Sequence, residues 1–184
     1  MVAIGSSWIL LALWLVWLLQ YAVRRRGGGE KPAVTARGAR WGMLLQGLAF
    51  GIAAFHLPSQ PPPSAIRIAI AAVFGLLAII IGVSATSALG KQWRFDAALN
   101  PDHHLIRSGP YAVVRHPIYA SMLLMIAATA LIVSNWIAFC IALVFYFTGT
   151  EIRIRIEERL LVAHFGDEYQ DYRRRVAAYL PGLR

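Results

Sequence analysis

The sequence predicts an all-α, polytopic membrane protein with about five transmembrane helices, the last two a helical hairpin, followed by cytoplasmic C-terminal helices. Of the 184 residues, 58% are hydrophobic and only 15% are charged, whereas soluble domains carry about a quarter charged residues. The hydrophobic residues form long blocks and are not dispersed at the spacing of a soluble amphipathic helix or strand. Basic residues collect between alternate blocks, which is typical of multi-pass membrane proteins.

The five hydrophobic blocks each have nearly the length that a helix needs to cross the hydrocarbon region. They cover residues 4–23, 41–57, 65–83, 118–133 and 135–150. Arginines follow the first block and do not precede it, so this block indicates a membrane anchor and not a cleaved signal peptide. Only Ser134 and Asn135 separate the last two blocks, which predicts a tight helical hairpin.

The distribution of Lys and Arg predicts how these helices are oriented. If the N-terminus is outside, residues 24–40, residues 84–117 and the tail after residue 150 face the cytoplasm, and together they hold 17 of the 18 basic residues. Cytoplasmic loops of membrane proteins carry such an excess of basic residues. We therefore expect a multi-pass protein with an external N-terminus, a short external turn at residues 58–64 and a cytoplasmic C-terminus.

The tail after the fifth block is predicted to be helical. Hydrophobic residues recur at helical spacing from residue 152 onward, so the fifth span should continue into the cytoplasm as a helix. Gly166 is a natural helix stop, and Asp167 can cap a second helix that has Gln170 at its third position. This second helix is expected to end at Pro181. One of its faces carries Tyr169, Tyr172, Val176 and Tyr179.

Charge and polarity divide the chain into two parts. Residues 1–85 contain the first three spans, whereas residues 86–184 hold a polar loop, the hairpin and the tail, which we expect to form the catalytic half. The net charge of +9 is compatible with nucleic acid, but basic cytoplasmic loops explain it more simply. No nucleic-acid partner is therefore expected. The single Cys140 excludes an intrachain disulfide and lies within a hydrophobic block.

The loop between the third and fourth spans is unusually polar for a connector. It contains Gln92, Trp93, Arg94, His103, His104, Arg107, Tyr111, Arg115, His116 and Tyr119. Gly109 and Pro110 indicate a turn, and Pro117 favours the first position of a helix. His116 and Tyr119 would then lie at the N-terminus of the fourth helix, near the membrane boundary. An interfacial loop whose arginines contact lipid phosphates is the structural alternative.

A metal site is a second interpretation of the polar residues. Four histidines lie on one predicted side of the membrane: His103, His104, His116 and His164. Their spacing argues against a metal, because neighbouring histidines point in different directions and no HExxH or CxxC motif occurs. We therefore expect no bound metal.

The charged residues directly after the fifth span form a third pattern. Glu151 and Arg155 are four residues apart, as are Arg153 and Glu157, which is the spacing of a salt-bridged helix face. Charges at the end of a span can instead face the interior of the bundle, where ionisable residues are often functional. Both interpretations remain open from spacing alone.

Two segments carry several motifs in a fixed order. Residues 103–121 read HHLIRSGPYAVVRHPIYAS and contain SGPY and RHPxY, whereas residues 153–183 contain a paired glutamate, FGDEYxxY and a final proline. Together they closely resemble the isoprenylcysteine carboxyl methyltransferase family, part of a wider group of phospholipid methyltransferase-like membrane enzymes. The resemblance extends over about residues 86–183.

This resemblance implies a helical membrane enzyme that binds S-adenosylmethionine from the cytoplasm and methylates a lipidic acceptor from the bilayer, such as the carboxylate of an isoprenylcysteine. The residues that it places around the cofactor are His104, Leu105, Gly109, Tyr111, His116, Pro117, Tyr119 and Glu158. Arg153 and Glu157 are implied as the catalytic residues. Arg153 would hold the carboxylate, which is already ionised near pH 7 and needs no general base.

The chain departs from the family's pattern at two places. The family commonly has glycine two positions after the tyrosine of RHPxY, where this chain has Ser121, so helix packing there is expected to differ. The acidic run before the tail motif consists only of Glu157 and Glu158 and is shorter than in the eukaryotic enzymes that methylate prenylated proteins. The choice between a prenylated protein and a small lipid therefore stays open.

Other functions share some of these features. An amine-headgroup lipid methyltransferase would use the same cofactor. Sterol reductases, which bind NADPH, have a similar RHPxY motif, but they usually have asparagine where this chain has Ile118, and about ten spans. A non-enzymatic membrane protein whose basic loops recruit anionic lipid or a partner is a further alternative.

Overall fold

The computed structural model describes residues 2–25, 34–36, 38–55, 61–94, 97–99 and 103–182. The α-helices in these ranges are α1 (Val2–Arg25), α2 (Ala39–Ala53), α3 (Ala65–Leu89), α4 (Pro117–Val133), α5 (Trp136–Phe165) and α6 (Asp167–Arg175). Two strands of two residues each, β1 (Val34–Thr35) and β2 (Ala98–Leu99), pair antiparallel. The predicted helical fold class is confirmed apart from this short ladder.

Three helices are long and hydrophobic enough to cross a membrane. They are Gly5–Val23 within α1, Ala65–Gln92, which extends α3 by a 3-10 turn, and Trp136–Phe165, which is α5. The other two hydrophobic helices are shorter, with 15 residues in α2 and 17 in α4. The structure supports an integral membrane protein, while the count of five spans and the orientation stay predictions. The predicted external turn at residues 58–64 is described only from residue 61.

The surface and the interior of the bundle differ as expected for a protein surrounded by lipid. Large hydrophobic side chains on the outside include Leu15, Leu19, Leu44, Ile80 and Val144. Buried positions include small and polar residues such as Ala78, Thr86, Ser121, Thr129 and Thr150. Small residues let membrane helices approach closely, and buried hydroxyl groups form hydrogen bonds between or within them.

The connection between α4 and α5 is as short as predicted, but the two helices do not form a tight pair. Ser134 and Asn135 join them, and the Asn135 Oδ1 accepts a hydrogen bond from the backbone N–H of Ala138 (2.8 Å) at the start of α5. Beyond this turn, α5 packs mainly along α2 and α4 mainly along α3. The hairpin arrangement is therefore not confirmed.

Two glycines allow α2 and α5 to cross at short distance. A Cβ atom added at Gly149 would lie 2.6 Å from the carbonyl oxygen of Gly42, and one added at Gly42 would lie 2.6 Å from the Cγ of Arg153. Both distances are too short for a real Cβ atom, so only glycine fits without displacement. The aliphatic part of Arg153 consequently packs directly against the backbone of α2.

Ser121, which stands where the family commonly has glycine, joins three helices. Its hydroxyl group donates to the carbonyl oxygen of Ala78 in α3 (2.7 Å) and accepts from the Trp17 Nε1 in α1 (2.8 Å). The side chain is fully buried. The packing at this position therefore depends on hydrogen bonds between helices.

The prediction that the last helix continues to Pro181 is wrong. α6 ends at Arg175 because the chain after it pairs with the segment before α4. The backbone N–H of Arg115 donates to the carbonyl oxygen of Ala177 (2.8 Å), and the next residue of each segment makes the same contact (2.8 Å). A helix cannot continue where its backbone groups are used by a neighbouring extended segment.

The start of α6 also differs from the prediction. Gly166 is the N-cap residue, with a φ of +56° that suits glycine, and it makes no side-chain hydrogen bond. Asp167, predicted to be the cap, is the first residue of the helix. Its negative charge there still interacts favourably with the helix dipole.

We expect Gly149→Ala to lower the free energy of unfolding by about 1–3 kcal/mol, because the new Cβ overlaps the backbone of α2 and forces the helices apart. Thermal unfolding of the purified protein in detergent measures this change. Gly51→Ala in α2 is the control, since a Cβ at Gly51 meets no heavy atom within 4 Å. Equal melting temperatures for the two variants would contradict the close crossing.

Candidate active site

A cavity of about 940 Å³ lies between the helices. Its hydrophobic wall consists mainly of residues from α1 and α2, including Trp17, Leu18, Met43 and Phe50. Its polar wall comes from the loop before α4, the first turn of α4, and the part of α5 that follows the hydrophobic block. The cavity therefore joins a lipid-like environment to a charged one.

Seven of the ten residues indicated by the sequence motifs line this cavity: His104, Leu105, Tyr111, His116, Tyr119, Arg153 and Glu157. The remaining three, Gly109, Pro117 and Glu158, are not part of the lining. Gly109 begins a 3-10 turn with a φ of +60°, and Pro117 is the first residue of α4, as predicted. Glu158 lies behind His116.

Arg153, Glu157 and Tyr119 form a hydrogen-bonded group in the polar wall. The Arg153 guanidinium donates to the Glu157 Oε1 from its Nε (3.3 Å) and its Nη2 (3.1 Å). The Tyr119 hydroxyl donates to the same oxygen, and the guanidinium carbon lies 5.5 Å from the centre of the Tyr119 ring. Arg153 is only 9% exposed. The positions of all three side chains are thus mutually determined.

A second group, around Glu158, lies directly behind the first. The Glu158 Oε1 accepts from the Arg115 Nε (2.9 Å) and lies 2.7 Å from its Nη2. The same oxygen lies 3.4 Å from the His116 Nε2, while the His116 Nδ1 is 3.6 Å from the Glu157 Oε2. The imidazole of His116 therefore lies between the two glutamates, stacked on the Tyr119 ring with centres 5.7 Å apart.

The tail holds the loop before α4 in place. Besides its bond to Glu158, Arg115 donates to the carbonyl oxygens of Arg173 (3.1 Å) and Val176. The Tyr172 hydroxyl donates to the carbonyl oxygen of Tyr111 (2.5 Å). Burial raises the pKa of Tyr172 to about 12, so this hydroxyl keeps its proton at neutral pH. The polar wall thus depends on α6 and on the extended segment after it.

The histidines outside this network have other surroundings. The backbone N–H of His104 donates to the Gln92 Oε1 (2.5 Å). Burial, and then the neighbouring His164 and His104, lower the pKa of His103 below 6.5, so its ring is neutral at pH 7. Within the described ranges, no group of three or more His, Cys, Asp or Glu is placed to hold a metal ion.

The sequence motifs do not indicate the wall that α1 and α2 provide. Its residues are hydrophobic, as in any membrane helix, and give no local signal of a site. The exception is Gln46, a buried glutamine within the second hydrophobic block that lines the cavity. A polar residue within a span is itself an indication of function, and this signal was available in the sequence.

Comparison with known proteins is consistent with a membrane enzyme whose polar wall is formed by the second half of the chain. Residues 66–168, from the start of α3 to the start of α6, match the phospholipid methyltransferase family. The matched part is more than half of the 184 residues. The chain therefore belongs to the phospholipid methyltransferase family, which confirms the relationship indicated by the motifs.

Three relatives illustrate the range of this family. The chain is 34% identical over 82 residues to the protein-S-isoprenylcysteine O-methyltransferase of Schizosaccharomyces pombe (45% of this chain, 35% of that protein). It is 32% identical over 111 residues to methanethiol S-methyltransferase 2 of Bradyrhizobium diazoefficiens (60% and 37%). It is 30% identical over 117 residues to protein-S-isoprenylcysteine O-methyltransferase B of Arabidopsis thaliana (59% and 58%). The chain thus covers only about a third of the first two relatives and under two thirds of the third.

Arg115→Ala should lower the free energy of unfolding by roughly 3 kcal/mol, because it leaves the buried Glu158 carboxylate without its main partner. It should also speed chymotrypsin cleavage near Tyr179, since the tail loses its hydrogen bonds to the loop. Arg155→Ala is the matched control: its pair with Glu151 is 68% and 48% exposed, and its loss should cost less than about 1 kcal/mol. Similar effects of both substitutions would contradict the role of Arg115.

Proposed function

We propose that this protein transfers a methyl group from S-adenosylmethionine to the carboxylate of a lipidic acceptor, most closely an isoprenylcysteine-like molecule. The observation that carries the proposal is the group of Arg153, Glu157 and Tyr119 in a cavity whose opposite wall is hydrophobic. Membership of the phospholipid methyltransferase family supports methyl transfer. The names of the relatives from yeast and plant support a prenylated carboxylate as the acceptor.

The polar wall has the chemistry that S-adenosylmethionine requires. When bound, this cofactor supplies a methyl group on a positively charged sulfur, which a carboxylate oxygen can attack without a proton transfer. The Glu157 carboxylate and the ring face of Tyr119 both attract a cation. The cavity of about 940 Å³ lies at the upper end of the usual range for ligand pockets, so it has room for more than a small ligand.

The cofactor-binding residues divide into two sets in this proposal. His104, Leu105, Tyr111, His116 and Tyr119 line the cavity and would contact the cofactor. Gly109, Pro117 and Glu158 would act behind them. Gly109 would set the turn, Pro117 would start α4 at the correct residue, and Glu158 would hold His116 through the 3.4 Å contact.

Arg153 would hold the acceptor carboxylate. A guanidinium group binds a carboxylate by paired hydrogen bonds, and Glu157 keeps that of Arg153 in a fixed place through contacts of 3.1 and 3.3 Å. Among the described residues of the lining, Arg94, Arg115 and Arg153 carry positive charge and Glu157 carries negative charge. This balance favours an anionic acceptor over an amine headgroup.

The acceptor would enter from the bilayer between α1 and α2. α1 packs on α3, and α2 packs on α5, more than they pack on each other. Leu18 on α1 and Met43 on α2 line the cavity, and they are also 49% and 40% exposed. Residues 1–85 would thus contact the prenyl chain, while residues 86–184 form the catalytic half. With five spans and an external N-terminus, the charged end would face the cytoplasm.

The reaction itself can be tested with membranes that contain the protein, methyl-labelled S-adenosylmethionine and an S-prenylated cysteine derivative. We expect a labelled methyl ester, identified by mass spectrometry and by release of the label in alkali. Arg153→Gln should reduce the rate about 100-fold, because the acceptor loses a preorganised charged partner. Label found only in an amine or in a thioether that resists alkali would show that the acceptor class is wrong.

Cofactor binding can be measured separately by calorimetry in detergent. Glu157→Gln and His116→Ala should each weaken S-adenosylmethionine binding about tenfold or more, because one removes a charged contact and the other its positioning. Glu151→Gln is the matched control, since Glu151 is an exposed glutamate on the same helix. If all three variants bind the cofactor like the unchanged protein, the proposed cofactor site is wrong.

A further inference from the structure

Gln46 in α2 is a buried polar residue at the wall of the cavity. It is 1% exposed, and its Nε2 donates to the Thr150 Oγ1 in α5 (2.9 Å). Its Oε1 is buried and accepts no hydrogen bond from the part of the chain that the structure describes. A buried amide oxygen without a donor is costly, so this atom indicates a ligand that supplies one.

The orientation of the Gln46 amide is determined by a chain of hydrogen bonds. The Tyr146 hydroxyl donates to the carbonyl oxygen of Tyr119, and it is also hydrogen-bonded to Thr150. Because Tyr146 has used its only proton, Thr150 must donate to it. The Thr150 oxygen can then only accept from Gln46, which requires the Nε2 on that side and leaves the Oε1 as the open acceptor.

Gln46 lies close to the proposed carboxylate site. Thr150 precedes Arg153 by three residues on α5, so the two lie on the same face of the helix, about 5 Å apart along its axis. On α2, Gly42 packs against the Arg153 side chain and precedes Gln46 by four residues. Gln46 is therefore about one helical turn from Arg153, on the side of the hydrophobic block.

From this juxtaposition we infer that Gln46 determines specificity by accepting a hydrogen bond from an N–H or O–H group that the acceptor carries next to its carboxylate. The inference rests on the proposed function, in which Arg153 holds that carboxylate. An N-acylated, S-prenylated cysteine has such a donor, the amide N–H on the carbon that bears the carboxylate. Gln46 lies outside residues 66–168, so this selection belongs to a part of the chain that the family match does not include.

Two acceptors test this inference. N-acetyl-S-farnesylcysteine and S-farnesyl-3-mercaptopropionic acid differ only in the acetamido group that carries the N–H. For the unchanged protein, kcat/KM should be about tenfold higher for the first acceptor, the effect of one hydrogen bond. Gln46→Met keeps the length of the side chain but has no amide oxygen, and it should bring the ratio close to one. Gln20→Met is the matched control, because Gln20 does not line the cavity, and it should keep the tenfold ratio.

The outcomes separate this inference from the proposed function. If the unchanged protein methylates both acceptors with equal kcat/KM, the inference is overturned while carboxyl methylation stands, and this result needs no variant to fold. A Gln46→Met variant that keeps the tenfold ratio overturns it in the same way. If the unchanged protein methylates neither acceptor, the proposed acceptor class is wrong and the inference fails with it.

Discussion

The close crossing of α2 and α5 at Gly42 and Gly149 is the contact on which the rest of the site depends. Because neither glycine has a Cβ atom, the two backbones approach until the aliphatic part of Arg153 packs against α2. The same approach brings Gln46 within 2.9 Å of Thr150. A guanidinium group can remain charged at 9% exposure only if neighbouring groups compensate its lost hydration, and Glu157 and Tyr119 provide that compensation.

Two neighbouring glutamates on α5 have different roles because consecutive helical residues point in directions about 100° apart. Glu157 faces the cavity and contacts Arg153, whereas Glu158 faces the loop and the tail. His116 lies between them, within 3.6 Å of the first and 3.4 Å of the second. The geometry of the polar wall is thereby linked to the docking of the C-terminal segment, although that segment follows the last membrane helix.

The parts of this structure that could be predicted from the sequence are those with a local signal. Long hydrophobic blocks predicted the helices, and dense motifs predicted most residues of the polar wall. The end of α6 was missed because it depends on pairing between Arg115 and Ala177, which are far apart in the chain. The contact between Gln46 and Thr150 spans 104 residues and arises from the helix crossing, so no spacing rule contains it. The packing of α4 and α5 on α3 and α2, and not mainly on each other, has the same cause.

The uninterrupted α5 has a consequence for where in the membrane the protein can act. Its 30 residues form a rod about 45 Å long, with hydrophobic residues at one end and Arg153 and Glu157 closer to the other. The distance between the hydrocarbon region and these charged groups is therefore constant, and the helix acts as a depth gauge. Acceptors are sampled from one layer near the headgroups, and a bilayer of different thickness shifts that layer relative to the lipids.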